Sequence, residues 1–278
     1  MQVTCHRSRL WHSGAVAERT REVIDRHLGI AQVNTADATT QQTVFVRIAG
    51  DIVQTSIDSS GELLHRRGHR TSIGEAPLRE TLAAAMVRML NQERKNEELV
   101  LWDPFCGSGC LSIEWVERQL GLDAGRDRRF AFETWPIHDS TSYHNWVESR
   151  EPAASRLVCA FGSDIDEAVL DAARANAGRS KVDSHCIWLQ GDFEAISDTV
   201  PLGAAILTNP PYGIRSGNLS NFANVLGRFE VLLSRRADLR PVIALLPESL
   251  RPWQPNLHWQ CLARFHNGGL RVQALRLD

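Results

Sequence analysis

Leu99-Val100-Leu101-Trp102-Asp103-Pro104-Phe105-Cys106-Gly107-Ser108-Gly109-Cys110-Leu111 (99–111) is the stretch that decides the fold. An apolar run ends at an aspartate, a proline interrupts it, glycines stand at 107 and 109, and a helix is expected over 111–120. Strand, glycine loop and helix in that order form the repeating unit of sheets covered by helices on both faces. Glycines at 107 and 109 let backbone approach a ligand where a Cβ would collide. Neither common phosphate cradle is present. Gly109 is followed by Cys110, Leu111 and Ser112, so the third glycine of the dinucleotide fingerprint is missing, and no Gly-Lys-Ser/Thr follows. The expected ligand therefore carries no phosphate that needs a helix terminus.

The alternation continues downstream. Strands are predicted over 157–161, 185–189, 204–208 and 241–246, with helices over 166–176 and 222–233 between them, and the end of the chain reads as an antiparallel pair of strands. Upstream, EAPLRETLAAAMVRMLNQ predicts a long helix from Glu75, with Pro77 tolerated in its first turn. The whole predicts an α/β fold built on a mainly parallel, doubly wound sheet. Residues 1–70 read differently: a strand over 3–10, a helix over 15–28, a polar loop over 34–42, and a hairpin turning at Gly50-Asp51, closed by Asp58-Ser59-Ser60-Gly61. The chain is therefore divided into a small module at 1–70 and a larger domain at 71–278. Residues 121–156 interrupt a βα unit with a charged, aromatic insertion carrying Trp135, Tyr143 and Trp146.

Strand ends in such a sheet are where ligands bind, and three carboxylates fall there: Asp103, Asp164 in GSDID, and Asp192 in GDF. S-adenosylmethionine suits this set. Asp103 is read as acceptor for the methionine ammonium, Asp164 for the two ribose hydroxyls, and Asp192 for the adenine amino group. Phe105, Gly107, Gly109, Ile165, Phe193 and Asn209 complete the expected cofactor contacts. Each aspartate also has a plainer reading as a helix N-cap or turn residue. That reading is preferred for Asp166, which directly precedes its helix, whereas Asp164 and Asp192 are read as ligands. Cys106 and Cys110 are read as small core residues rather than nucleophiles.

Thr208-Asn209-Pro210-Pro211-Tyr212-Gly213 follows the fourth strand. Two prolines fix the backbone, so the Asn209 side-chain oxygen and the Pro210 carbonyl make two acceptors aimed at one place. A planar –NH2 group supplies two matching donors. The amino nitrogen of a nucleic-acid base is a poor nucleophile because its lone pair is delocalised into the ring. Accepting both its N–H groups favours a pyramidal nitrogen whose lone pair faces the methyl to be transferred, so positioning carries the catalysis. Tyr212 supplies a surface on which an unstacked base can lie. The catalytic set is thus Asn209, Pro210, Pro211 and Tyr212, with no metal. The plain alternative for this loop is a tight proline turn. Its place three strands after the glycine loop favours the chemical reading.

Composition narrows the class further. A hydrophobic share of 43% supports a large core, and no run of eighteen apolar residues predicts a membrane span. The net charge of −2 argues weakly against a nucleic-acid partner, although a local basic cluster outweighs the sum. Only two of the 31 cationic side chains are lysines. Arginine suits phosphate contacts, but a GC-rich genome produces the same bias. Cysteines at 5, 106, 110, 159, 186 and 261 form no CxxC pair, so neither zinc nor a disulfide framework is expected. Together with a start lacking the apolar core of a secretory signal, they predict a cytoplasmic protein, or an organellar one whose presequence is missing.

These residues resemble the THUMP-domain RNA guanine-N2 methyltransferases over nearly the whole chain. SRLWHSGAVAER is similar to the second half of a THUMP module, and SIDSSGELLHRRGHR to the segment that follows it. APLRETLAAAMV, DPFCGSG, RRFAFETWP, GSDIDEAVLDAARANA, GDF and NPPYG are similar to successive family blocks in order. The resemblance implies a Rossmann-like class I methyltransferase domain with a partial THUMP module of small α+β type, and guanine N2 as the target. Large-subunit rRNA is the implied substrate branch, with tRNA as its nearest variant and a pre-ribosomal particle as a further partner. Arg66, Arg67, His69 and Arg70 are the expected RNA contacts, with a solvated charged linker as the plainer reading. Two positions depart from the family pattern: His69 stands where tyrosine is usual and Cys110 where threonine is usual. Adenine-N6 methylation and a non-catalytic ribosome-assembly role are the competing functions.

Overall fold

The computed structural model describes residues 1–28, 42–68, 78–91, 100–149, 157–211, 219–249 and 256–278. Two compact units emerge, one comprising Met1–Leu64 with Arg128–Arg150, the other His65–Asp127 with Glu151–Asp278. Part of the insertion thus groups with the N-terminal residues.

The first unit opens with β1 (Gln2–His6) and α1 (Ser13–Leu28), then β2 (Val44–Ala49) and β3 (Ile52–Ile57). β1 pairs parallel to β2, and β2 antiparallel to β3. The two hairpin residues Gly50 and Asp51 have φ of 55° and 64°, the twist that a two-residue turn between strands requires. Asp58 accepts the N–H groups of Ser60 and Gly61, making the turn expected there. The strand predicted over 3–10 stops at His6, because Arg7 turns to φ 45° and Arg9 reaches back to the Asp51 carboxylate. Most of the polar loop predicted over 34–42 lies outside the described residues.

The second unit begins its regular structure with α2 (Glu80–Asn91), β4 (Val100–Asp103) and α3 (Cys110–Gln119). The helix predicted from Glu75 starts later, at Glu80, since Leu78 and Arg79 are not helical; residues 75–77, including Pro77, lie outside the described residues. Within the insertion, α4 (Ser140–Glu148) belongs to the first unit, capped by Asp139, which accepts from Thr141 and Ser142. Its aromatic residues pack locally: the Phe132 and Tyr143 rings meet edge-on at 5.3 Å. The second unit resumes with β5 (Cys159–Asp164), α5 (Glu167–Arg179), β6 (Cys186–Gln190), the single turn α6 (Phe193–Ile196), β7 (Ala205–Thr208) and α7 (Leu219–Arg235). It ends with β8 (Val242–Pro247), β9 (Gln260–Asn267) and β10 (Leu270–Leu277).

These strands form one seven-stranded sheet in the order β6-β5-β4-β7-β8-β10-β9. The pairs from β6 through β8 are parallel, and β10 runs antiparallel to both its neighbours. Successive residues feed opposite layers. Leu101 packs with Leu207, Ile243 and Leu245 beneath α2 and α3, while Trp102 packs with Ile206, Val242 and Ala244 beneath α6 and α7. Burial on both faces explains why these strands read as continuous apolar runs rather than alternating ones. The strand order reverses between β4 and β7, and that switch point opens a crevice at their carboxyl ends.

Candidate functional site

The loop after β4 is drawn tight by its own backbone. The Cys106 N–H donates to the Ser163 carbonyl at 3.0 Å and the Gly109 N–H to the Cys106 carbonyl at 2.9 Å. Gly107 has φ 50° and open space where a side chain would project. Gly109 serves a different purpose. A Cβ there would lie 2.6 Å from the Trp188 ring, and one at Gly162 only 2.4 Å from it. The two glycines let an indole from β6 fill the layer beneath the loop.

Asp103 is buried, at 1% exposure. Its Oδ1 accepts the Thr208 hydroxyl at 2.7 Å and the Phe105 N–H at 3.3 Å. Burial pushes its carboxyl up to about 7, against the pull of those two hydrogen bonds. The expected ammonium acceptor is therefore an internal group that ties the end of β4 to the end of β7. Cys106, also buried, has its thiol pushed well above the ordinary range, first by burial and then by the charges of Asp103 and Asp164. That keeps it a thiol, as expected of a core residue.

Asp164 stands at the end of β5 with both oxygens in use once: Oδ2 accepts the Gly107 N–H and Oδ1 the Asp166 N–H, each at 3.1 Å. A carboxylate oxygen has two lone pairs, so each retains one for a ligand. Ile165 beside it is 73% exposed. Asp166 caps α5 by accepting the Ala168 N–H at 2.9 Å, the role preferred for it from sequence. Asp192 takes the plainer of its two readings and keeps room for the other. It caps α6 through Glu194 and remains half-exposed at a strand end, where the Arg228 guanidinium meets it at 2.7 Å. Phe105 and Phe193 lie against each other and against Phe229, with ring centroids 5.1 to 5.9 Å apart. Phe193 is thus mostly core.

Asn209 is half-buried, Pro210 buried and Pro211 exposed, directly after Thr208. The Thr208–Asp103 bond brings this segment beside the glycine loop although the two are far apart in sequence. Tyr212, His69 and Arg70 lie outside the described residues. Arg66 is exposed. Arg67 is not: its guanidinium meets Glu114 at 3.1 Å with only 11% and 10% of the two side chains exposed. Arg67 is thus occupied inside the fold rather than held open to a phosphate, and Glu114, pushed up to about 7 by burial, is restrained chiefly by that arginine. Sequence reasoning missed Thr208, Trp188 and Arg228. Thr208 was visible in the quoted loop, whereas a helical arginine and a strand tryptophan carry no local signal.

No group of three or more His, Cys, Asp or Glu side chains among the described residues is arranged to hold a metal. No described helix is long and apolar enough to cross a membrane.

The family model described as RMKL-like, methyltransferase domain (UPF0020) matches residues 67–245, well over half of the chain. The chain belongs to this family. The RMKL-like domain so defined runs from Arg67 into β8 and contains Asp103, Asp164, Asp192 and the NPPY residues. The large subunit ribosomal RNA methyltransferase K/L of Shewanella oneidensis is 34% identical over 214 residues, which is 74% of this chain and 29% of that protein. A Synechocystis protein provisionally named an RNA methyltransferase is 33% identical over 233 residues, 81% of this chain and 58% of its own length. The chain therefore spans just over half of one relative and under a third of the other. A crystal structure provisionally named a methyltransferase, solved in complex with SAH, superposes with a TM-score of 0.75 at 21% identity over 99% of this chain and 74% of its own. The RMKL-like domain here has the Rossmann-like class I methyltransferase fold.

Proposed function

We propose that this chain transfers a methyl group from S-adenosylmethionine to the exocyclic N2 of a guanine in RNA, with large-subunit rRNA as substrate. The observation that carries the proposal is the Asp103–Thr208 bond, which sets Asn209, Pro210 and Pro211 beside the glycine loop at the switch point of the sheet.

The residues fit the cofactor. Asp164 offers one unused lone pair on each oxygen, a match for two vicinal hydroxyls. Exposed Ile165 offers an apolar cover for a purine face, and Asp192 an acceptor for its amino group. Open space over Gly107 leaves room for the amino-acid end, and Asp103 lies beneath it, where a bound cation would favour its ionised form. When bound, S-adenosylmethionine supplies an electrophilic methyl on a sulfonium. Asn209 and the Pro210 carbonyl hold the target amino group, so that its nitrogen forms the new N–C bond as the C–S bond breaks. The displaced sulfur keeps the electron pair, and the methylated nitrogen then releases its extra proton to water. Pro211 stiffens the segment and Tyr212 stacks on the base.

Residues 1–70 act in this reading as a partial THUMP-like RNA-binding module, an assignment supported by the small α+β arrangement of β1, α1, β2 and β3. Arg66, His69 and Arg70 are the phosphate contacts; Arg67 holds Glu114 instead.

The test is methyl transfer from labelled S-adenosylmethionine to RNA, followed by nucleoside mass spectrometry, beside Asn209→Ala. N2-methylguanosine that disappears in the variant is the expected result. N6-methyladenosine would replace the target base. Absence of any product from folded protein, even with pre-ribosomal particles, would favour a binding role in ribosome assembly.

A further inference from the structure

Asp192 uses its two oxygens unequally. Both hydrogen bonds it accepts, from the Glu194 N–H at 3.0 Å and from Arg228 Nη2 at 2.7 Å, fall on Oδ1. Among the described residues nothing donates to Oδ2, and about 40% of the side chain is exposed. Arg228 is itself held from several sides. Its Nε and Nη2 meet Glu194 Oε2 at 2.9 and 2.5 Å, and its guanidinium lies over the Phe193 ring at 5.1 Å from the centroid. Phe193 is wedged against Phe105 and Phe229. Arg228 therefore presents a fixed donor rather than a mobile charge. It projects from α7, so it also links the helix that follows the NPPY segment to the loop after β6.

We propose that Arg228 is a positioning residue that sets base specificity in the cofactor site. It locks Asp192 through Oδ1, leaving Oδ2 as a fixed acceptor that selects a 6-amino purine over a 6-oxo purine. The proposal rests on the cofactor reading given above. A single N-cap bond restrains the carboxylate only loosely and lets it rock about Cβ–Cγ within the tolerance of that bond. The second bond, from a planar guanidinium immobilised by Glu194 and Phe193, removes that freedom. A 6-amino group donates to the exposed oxygen. A 6-oxo group places an acceptor against it and is repelled. A hydrogen bond to a charged acceptor separates two such ligands by roughly tenfold to a hundredfold.

Calorimetric titration of the full chain with S-adenosylhomocysteine and with its 6-oxo counterpart, S-inosylhomocysteine, tests this. The native protein is expected to prefer the adenine compound by at least about tenfold. Arg228→Gln should bring the two within about threefold and raise KM for S-adenosylmethionine while leaving kcat at saturation unchanged. Arg235→Gln, which loses only a 3.4 Å contact with Glu194, should behave as the native protein. If Arg228→Gln fails to fold, Arg228→Lys serves in its place, since an ammonium cannot span Glu194 and Asp192 from one plane, and partial loss of preference is expected. Full preference retained in a folded Arg228 variant overturns the proposal. So does equal binding of the two compounds by the native protein, which leaves the cofactor reading intact. No binding of S-adenosylhomocysteine by the native protein removes both.

Discussion

Replacing Asp103 by asparagine should make the protein more stable at pH 8 and remove a pH dependence that the native fold carries. Asparagine keeps an oxygen for Thr208 and for the Phe105 N–H, so the change is chiefly the loss of a titrating carboxyl. Burial moves that carboxyl from 3.8 to about 7. The folded state therefore holds the proton more tightly than the unfolded chain does. Stability from this group is fully present below about pH 4 and is lost as pH rises through about 7. Three pK units at about 1.4 kcal/mol each put the cost of the charge near 4 kcal/mol at pH 8. Urea denaturation of both proteins from pH 4.5 to 8 reads this directly. The stability of Asp103→Asn minus that of the native protein should climb by about 3–4 kcal/mol across the range. Any constant offset from the fit of the amide cancels, because only the change with pH is compared. A difference that stays level within about 1 kcal/mol would refute the reasoning, since no buried charge would then be forming. Saturating S-adenosylmethionine, a cation close to this carboxylate in the proposed complex, should narrow the gap at pH 8.

Gly162→Ala should destabilise by about 1–3 kcal/mol, because its Cβ would sit 2.4 Å from the Trp188 ring; adding Trp188→Leu should recover part of the loss in thermal melts. Arg67→Ala should cost about 1–3 kcal/mol at neutral pH by leaving buried Glu114 without its hydrogen-bond donor. Because Glu114 is already raised to about 7 and loses what holds it down, the penalty should grow from pH 5 to 8 in denaturant titrations; a penalty independent of pH would point to lost packing instead. Asp166→Ala, which removes the cap at the Ala168 N–H, should cost about 1 kcal/mol and leave binding of S-adenosylhomocysteine unchanged by calorimetry.

Local chemistry made much of the second unit readable. Pro104 ends the strand after Asp103 because it has no N–H to give a ladder, and glycines before a run such as Leu111 to Val116 open a helix. What was hidden depended on partners far away in sequence. Nothing near Arg67 announces Glu114, and nothing near Arg228 announces Asp192, because both pairs form only once the sheet has set their elements side by side. Asp192 illustrates a different limit. A residue that caps a turn and one that meets a ligand have the same identity and the same place at a strand end; this residue caps α6, and the proposed function gives it the second role as well. The insertion resisted reading because α4 leaves its residues largely exposed and so lacks the apolar stripe that marks a helix packed on a core.

The Thr208–Asp103 bond has a consequence in time as well as in space. β7 lies between β4 and β8, so the strand that leads into Asn209 pairs with the edge of β4 that β5 leaves open. A growing chain that has released β4, β5 and β6 can pair those three strands, yet it has only one wall of the crevice. The second wall arrives when residue 208 has emerged and its hydroxyl finds Asp103, 105 positions back along the chain. Domains fold as units while synthesis proceeds. Under the proposed function, a half-made polypeptide would hold the glycine loop with nothing yet to present a base to it, and the two walls of the site would meet only once β7 has paired with β4.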